Sequence, residues 1–267
     1  MKGIEGRVAI VSGGATSIGA EIVRSFVAAG GKAVAADIDA AAGEALAREL
    51  GAAAAFVQMD LASDEDIQRA VAATLARYGR IDFVVNAAAN YADNAAASGR
   101  EEWRRSLDVN LIGPVMLVRA AHEQLARHRG AVVNVGSISA KAAQRGRWLY
   151  PAAKAALHQA TRSLALDFAE SGVRVNTVSP GWTFSTSMEK FGLTLPVVDR
   201  VAAAYHLVPR AARRGEIADV AVFLCSDYAS FINAADVPVD GGYSALGPEA
   251  KAAALELLIS AGREAAS

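Results

Sequence analysis

Cysteine is nearly absent: Cys225 is the only one in 267 residues. A single thiol excludes an intrachain disulfide and gives no sign of an oxidising compartment. In the apolar stretch from Val220 it reads as core filler. Long hydrophobic runs are missing too, since none approaches the roughly 18 consecutive apolar residues of a membrane-crossing helix. The net charge of −1 offers no general attraction to nucleic acid or to an anionic membrane. His122, His128, His158 and His206 show neither a His-Glu-x2-His pattern nor close pairing with cysteine, so no metal site is expected. Met1 to Ala9 carries no long apolar stretch and runs straight into a strand pattern, which predicts a cytoplasmic soluble protein without a signal peptide. No linker rich in Pro, Gly or Ser divides the chain, and no internal repeat of fixed period is found.

Alanine is what the chain has in excess, at 61 of 267 residues. It explains the 53% hydrophobic fraction; without it, about 30% of the chain is larger apolar residues, ordinary for a soluble domain. A chain of this length buries roughly 70–75% of its unfolded surface and needs no disulfide or metal staple. Short β-rich runs at 8–11, 33–36, 54–59, 83–85, 132–135, 173–178 and 237–239 alternate with helical stretches at 18–29, 40–50, 64–78, 101–128, 148–171 and 216–226. Strands separated by helices predict βαβ units, and right-handed crossovers turn these into one doubly wound sheet. The expected fold is therefore α/β: a single domain over 1–247 with a mostly parallel seven-stranded sheet and helices on both faces. Asp64 is the expected N-cap of the third helix and Gly79 its C-terminal stop. Gly113-Pro114 should kink or break the long segment at 101–128. Two stretches depart from this alternation. Residues 183–214 show no clean period and read as a long substrate loop. Residues 248–267, with Leu255, Leu257 and Leu258, read as a helical tail on the surface or against a partner.

Chemistry concentrates where strands end. Ser12-Gly13-Gly14-Ala15-Thr16-Ser17-Ile18-Gly19 spans the first strand-to-helix turn, where small residues let the backbone approach a pyrophosphate at a helix N-terminus. Asp37 closes the second strand 18 residues beyond Gly19. An acid there bonds both ribose hydroxyls and repels a 2′-phosphate, and nothing basic lies in 14–17, so NAD is favoured over NADP. Asp60, ending the third strand, is placed either to meet the adenine edge or to cap a helix. Tyr150 and Lys154 are four apart on one helix face, and Ser137 precedes Tyr150 by 13 residues at the end of a strand. By composition, chance would supply about 0.13 Tyr-x3-Lys pairs, and about 0.01 with a serine at that offset. A Lys ammonium ~5 Å from a phenol favours the phenolate by ~3 kcal/mol at an effective dielectric of ~20, which would poise Tyr150 as a general base.

Together these pieces resemble the short-chain dehydrogenase/reductase family over residues 6 to 244. The matching segments are Ser12-Gly13 to Ile18-Gly19, Asp37, Asp60-Leu61, Asn86-Ala87-Ala88-Ala89, Asn110, Ser137, Tyr150 to Lys154, Pro180-Gly181 and Asp240-Gly241-Gly242. The resemblance implies a Rossmann fold with NAD bound by Gly13, Ser17, Ile18, Gly19, Asp37, Asp60, Leu61 and Asn86. It adds Thr183 and Ser185, after Pro180 and Gly181, as contacts to the nicotinamide carboxamide. It implies Tyr150 as catalytic acid/base and Lys154 as the group that lowers its pKa and holds the nicotinamide ribose. Ser137 orients the substrate oxygen, and Asn110 holds a relay water in a kinked helix. Ser137, Gln144, Tyr150 and Trp182 would face substrate, with Asn90, Tyr91, Trp148 and 184–191 nearby. Two departures from the family pattern stand out: Ser17 replaces the middle glycine of the phosphate turn, and Ala87 and Ala89 replace an amide and a glycine.

The implied activity is NAD-dependent interconversion of a secondary alcohol and a ketone, on a small and cyclic or apolar substrate. Epimerisation or dehydration at the same site, or a non-catalytic nucleotide-binding scaffold, are the rival readings. Arg213 and Arg214 beside Glu216 read as a solvated charge cluster rather than an anion site. Family members pair through their two long helices, so a homodimer or homotetramer is expected.

Overall fold

The computed structural model describes residues 1–247 together with Leu258, Ile259, Ala261, Arg263 and Glu264, which are helical. The rest of the helical tail expected over 248–267 lies outside the described residues. The strands are β1 (Val8–Ser12), β2 (Lys32–Asp37), β3 (Ala54–Gln58), β4 (Phe83–Asn86), β5 (Ala131–Val135), β6 (Arg174–Pro180) and β7 (Asp236–Val239). They form one sheet in the order β3-β2-β1-β4-β5-β6-β7. Every pairing is parallel, so the mostly parallel sheet expected is wholly parallel among the described residues. The winding reverses between β1 and β4, and in such sheets the crevice at the C-terminal strand ends beside that point receives ligands.

Helices cover both faces because each strand sends alternate side chains to opposite sides. Ala9 and Val11 of β1, Phe83 and Val85 of β4, and Val133 of β5 enter one core. Their neighbours Ile10, Val84 and Val132 enter the other. The first core is closed by α1 (Ser17–Ala28), α2 (Ala40–Leu50) and, late in the chain, Ile217 and Val222. The second is closed by α3 (Asp64–Tyr78), which contributes Ile67, Ala70 and Val71, and by Leu117, Ala121 and Leu125 further along. Ser63, not Asp64, caps α3: its hydroxyl accepts from the Asp66 N–H at 3.2 Å. The local signal was one residue off because Asp64, Glu65 and Asp66 all crowd the first turn. Gly79 ends α3 in the left-handed conformation, φ 75°, as expected.

The long segment at 101–128 divides into α4 (Arg100–Leu107), a π-helical turn at Asp108–Ile112, and α5 (Gly113–His128). Pro114 has no N–H for the Asn110 carbonyl four residues back, so the ladder widens there instead of breaking. Gly113 is needed because a Cβ would stand 2.1 Å from the Leu61 carbonyl oxygen. The helix α6 (Leu149–Asp167) carries the Tyr-x3-Lys pair. Residues 183–214 are not the irregular loop expected. They fold α7 (Thr186–Lys190) and α8 (Leu195–Ala202) around a small core of Val198, Ala202 and Ala211 with Trp182, Phe184 and Met188. The helix α9 (Arg214–Cys225) follows. Ion pairs tie this segment down: Arg213 to Asp199 at 2.7 Å, Arg214 to Glu189 at 2.6 Å, and Arg210 to Glu216 at 2.6 Å. Both Arg213 and Arg214 are thus paired with carboxylates. Cys225 is buried in the core, and among the described residues no helix is long and apolar enough to cross a membrane.

Candidate active site

At the first strand end, Gly13 turns the chain with φ 66° and gives its N–H to the Ala36 carbonyl at 2.8 Å. A Cβ on Gly13 would lie 2.6 Å from the Ala88 backbone, and one on Gly19 would lie 2.0 Å from the Gly13 oxygen. These glycines therefore make a cradle of close backbone that side chains would fill. Ser17 adopts φ 52°, the left-handed conformation natural to the glycine it replaces, so the turn keeps its shape at the cost of a strained residue. Thr16 precedes α1 and offers no side-chain cap. The first amides of α1, with Ile18 in that turn, lack an intrahelical partner and suit an anionic group.

Asp37 stands against this cradle. Its Oδ2 accepts from the Ala15 N–H at 3.0 Å and its Oδ1 from the Asp39 N–H at 3.1 Å. The pyrophosphate turn and the acid suited to ribose hydroxyls are thus adjacent, and the residues present fit a dinucleotide. Asp60 and Asn86 are engaged elsewhere. Asp60 pairs with Arg105 at 3.1 Å and accepts from the Ala62 N–H at 2.9 Å, while Leu61 is buried against Gly113. The Asn86 side chain points into the sheet: it accepts from Ser12 Oγ at 3.3 Å and donates to Asn134 Oδ1 at 2.8 Å and to the Pro114 carbonyl at 3.3 Å. The next residue continues the strand pairing, the Ala87 N–H donating to the Ser12 carbonyl at 3.0 Å.

Ser137, Tyr150 and Lys154 come together beyond β5. The Ser137 hydroxyl accepts from the Ser139 N–H at 3.0 Å and lies close enough to Tyr150 to draw its phenol pKa down. Lys154 Nζ lies 5.6 Å from the Tyr150 ring centre and donates to the Val135 carbonyl at 2.8 Å. Only 2% of Lys154 is exposed, and burial pulls its pKa down to about 8. The Tyr150 phenol is pushed well above its ordinary value, first by burial and then by Tyr91, against the pull of Ser137. This reverses the direction expected from Lys154 alone. Desolvation of the phenol is the largest cause, and the downward pulls come from Ser137 and Arg147.

Asn110, carried inward on the π turn, clasps the next strand-end loop. Its Oδ1 accepts from the Asn90 N–H at 3.0 Å and its Nδ2 donates to the Asn90 carbonyl at 2.9 Å. Tyr91 then lies on Tyr150, ring centres 4.8 Å apart. Gln144 accepts from Ser139 Oγ at 2.9 Å, one residue pair from the catalytic candidates, and Trp148 is 52% exposed at the mouth of α6.

After β6, Pro180 and Gly181 pass beside Asp240 and His206, and a Cβ on Gly181 would be 2.9 Å from His206 Nε2. His206 is a scaffold residue. Its Nε2 accepts from the Trp182 N–H at 3.2 Å and its Nδ1 faces the Ala202 carbonyl at 2.9 Å, which fixes the tautomer with the proton on Nδ1. Trp182 stacks on Tyr205 at 5.2 Å. Thr183 bonds back to the Gly181 carbonyl at 3.2 Å, and Ser185 stands at the N-terminus of α7 without capping it. Sequence reasoning missed one residue of the site, Asp93, which accepts from the N–H groups of Trp148, Leu149 and Tyr150. No pattern in the sequence links it to α6, because Trp148 lies 55 positions further along the chain.

Known proteins match this arrangement over most of the chain. The family model described as Enoyl-(Acyl carrier protein) reductase matches residues 13–244. L-fucose dehydrogenase of Bos taurus is 35% identical over 245 residues, covering 89% of each chain. Cis-4-hydroxycyclohexanecarboxylate dehydrogenase of Sinomonas cyclohexanicum is 34% identical, covering 90% of this chain and 97% of that one. The crystal structure of gox2181 superposes with a TM-score of 0.84 at 31% identity, covering 92% of this chain and 97% of its own. With the parallel sheet, the glycine cradle and the Ser137, Tyr150 and Lys154 group in place, the chain belongs to the short-chain dehydrogenase/reductase family of oxidoreductases.

Proposed function

We propose that the protein is an NAD-dependent dehydrogenase that interconverts a secondary alcohol and a ketone on a small, ring-bearing or otherwise apolar substrate. The observation that carries this reading is Tyr150 beside Ser137, with buried Lys154 one turn along the same helix and its Nζ 5.6 Å from the phenol ring centre. When bound, NAD supplies hydride acceptance and return at its nicotinamide. The chain supplies position and the proton. Ser137, oriented by the Ser139 N–H, holds the substrate oxygen, and Tyr150 exchanges a proton with that oxygen. In the free chain the raised pKa keeps Tyr150 protonated at neutral pH, ready to act as the acid for ketone reduction. Lys154, titrating at about 8, is the neighbouring group able to change charge in the working range.

Asp37 supports NAD over NADP. Its carboxylate flanks the phosphate cradle, and a 2′-phosphate there would meet like charge. Thr183 and Ser185, after Pro180 and Gly181, are read as the nicotinamide contacts. Gln144, Trp182, Tyr91 and Trp148 are read as the substrate-facing residues, Tyr91 lying against Tyr150. Relatives are named as dehydrogenases of L-fucose and of cis-4-hydroxycyclohexanecarboxylate, compounds that contain or form six-membered rings, which favours the ring-bearing class. The working unit is read as a homodimer or homotetramer across α5 and α6.

The experiment is NADH formation by the purified protein from NAD+ and each of L-fucose, cis-4-hydroxycyclohexanecarboxylate and cyclohexanol. Turnover of at least one of them, with NADP+ the poorer oxidant, is the expected result. Absence of NADH with all three, and of NADH consumption with the matching ketones, removes the reading.

A further inference from the structure

The helix α6 holds Tyr150 and Lys154, yet the residue at its cap position does not cap it. Trp148 stands at the cap position and makes no side-chain hydrogen bond there. The first amides of a helix have no intrahelical acceptor, and in this one the first turn carries the acid/base tyrosine. Asp93, from the loop after β4, takes those amides. Its Oδ2 accepts from the N–H of Trp148 at 2.8 Å, of Leu149 at 2.8 Å and of Tyr150 itself at 3.3 Å. The other oxygen is fixed by the Ala95 N–H at 3.0 Å, next to a left-handed turn at Ala95 with φ 49°.

The segment from Asn90 to Asp93 is tied to the same site along its whole length. Asn90 is held on both sides of its backbone by the Asn110 amide, and Tyr91 lies against Tyr150. The Tyr91 carbonyl accepts from Arg147 Nη1 at 3.1 Å. Burial pushes the Asp93 carboxyl up, but four backbone N–H groups outweigh it and hold the group below its ordinary range. It is ionised, and its charge meets the positive end of the helix. An ordinary N-cap is local to its helix; this one comes from across the site and joins the Asn110 loop to the Tyr150 helix.

We propose that Asp93 is a positioning residue: by capping α6 from a distant loop it fixes the first turn of the helix, and with it the place where the Tyr150 hydroxyl meets substrate. This rests on Tyr150 being the acid/base group of the proposed reaction. Without the cap the first turn frays and the hydroxyl wanders; a displacement of about 1 Å at a reacting group costs on the order of a hundredfold in rate. An asparagine at 93 keeps an oxygen acceptor of nearly equal capping strength, whereas alanine removes it.

The test compares wild type, Asp93→Asn and Asp93→Ala by hydrogen–deuterium exchange and by steady-state kinetics with NAD+ and the best alcohol of the three above. In Asp93→Ala, exchange over 148–150 should speed up roughly fivefold or more, while the part of α6 beyond Lys154 exchanges as in wild type. There kcat should fall about ten- to a hundredfold, with the Kd for NAD+ within about twofold of wild type. Asp93→Asn should keep kcat within about threefold. Unchanged exchange over 148–150 in Asp93→Ala overturns the capping role. Faster exchange with unchanged kcat overturns the positioning role, as does an equal loss of kcat in both variants. Exchange needs no substrate, and wild-type turnover alone tests the dehydrogenase reading, so the two failures are told apart.

Discussion

Lys154 reaches toward Tyr150 from one turn along α6, its Nζ 5.6 Å from the phenol ring and bonded to the Val135 carbonyl at 2.8 Å. That carbonyl is a neutral partner, so the ammonium is buried without a carboxylate bonded to it. The folded chain therefore gives up this proton at about pH 8, whereas the unfolded chain holds it to about 10.4. Between those values the unfolded state binds more protons, so this group makes stability rise with pH, and below pH 8 it costs the fold. Lys154→Met removes the cost. Urea titrations at pH 7 and pH 9.5 should show the variant gaining on wild type at pH 7 and losing most of that advantage at pH 9.5. An advantage that does not change with pH would mean that Lys154 is charged throughout.

Asp37 predicts cofactor choice. Its carboxylate sits beside the phosphate cradle through the Ala15 N–H, and replacing it with serine removes the negative charge that opposes a 2′-phosphate. Wild type should bind NAD more tightly than NADP in a fluorescence titration, and Asp37→Ser should narrow or invert that ratio, by about tenfold or more. Tighter NADP binding by wild type would contradict the assignment.

The phosphate turn contains one residue under strain and glycines that admit no side chain, Gly19 most tightly. Ser17 has φ 52°, so Ser17→Gly should stabilise the fold by up to about 1 kcal/mol in urea unfolding without weakening NAD binding. Gly19→Ala puts a methyl 2.0 Å from the Gly13 oxygen and should weaken NAD binding by more than about tenfold or unfold the turn. Gly215→Ala, with nothing within 4 Å of its added carbon, is the control and should change neither. Equal tolerance at 19 and 215 would remove the cradle.

Much of this was legible in the sequence because the signals are local. The helices α2 and α3 begin and end where their apolar spacing and flanking residues place them. Apart from β3, which stops at Gln58, the strands run further than the apolar runs predict. Ser12, Asp37 and Asn86 are polar, yet parallel neighbours keep them in register, and no propensity scale contains that pairing. Tyr150, Lys154 and Ser137 were readable by spacing alone. Three things were not: α7 and α8, with 5 and 8 residues, are too short to show a period. The direction of the Tyr150 shift depends on burial, which composition does not report. Asp93 caps a helix 55 residues away, whereas the sequence signature of a cap lies within four residues of the helix it serves.

The most direct measurement of the central claim is the turnover of Tyr150→Phe with NAD+ and the best alcohol substrate, beside its affinity for NAD+. Phenylalanine keeps the ring against Tyr91 and removes only the hydroxyl. The predicted result is a kcat at least about a hundredfold below wild type, with the Kd for NAD+ within about threefold. A variant that turns over at the wild-type rate would contradict the assignment of Tyr150 as the acid/base of this enzyme.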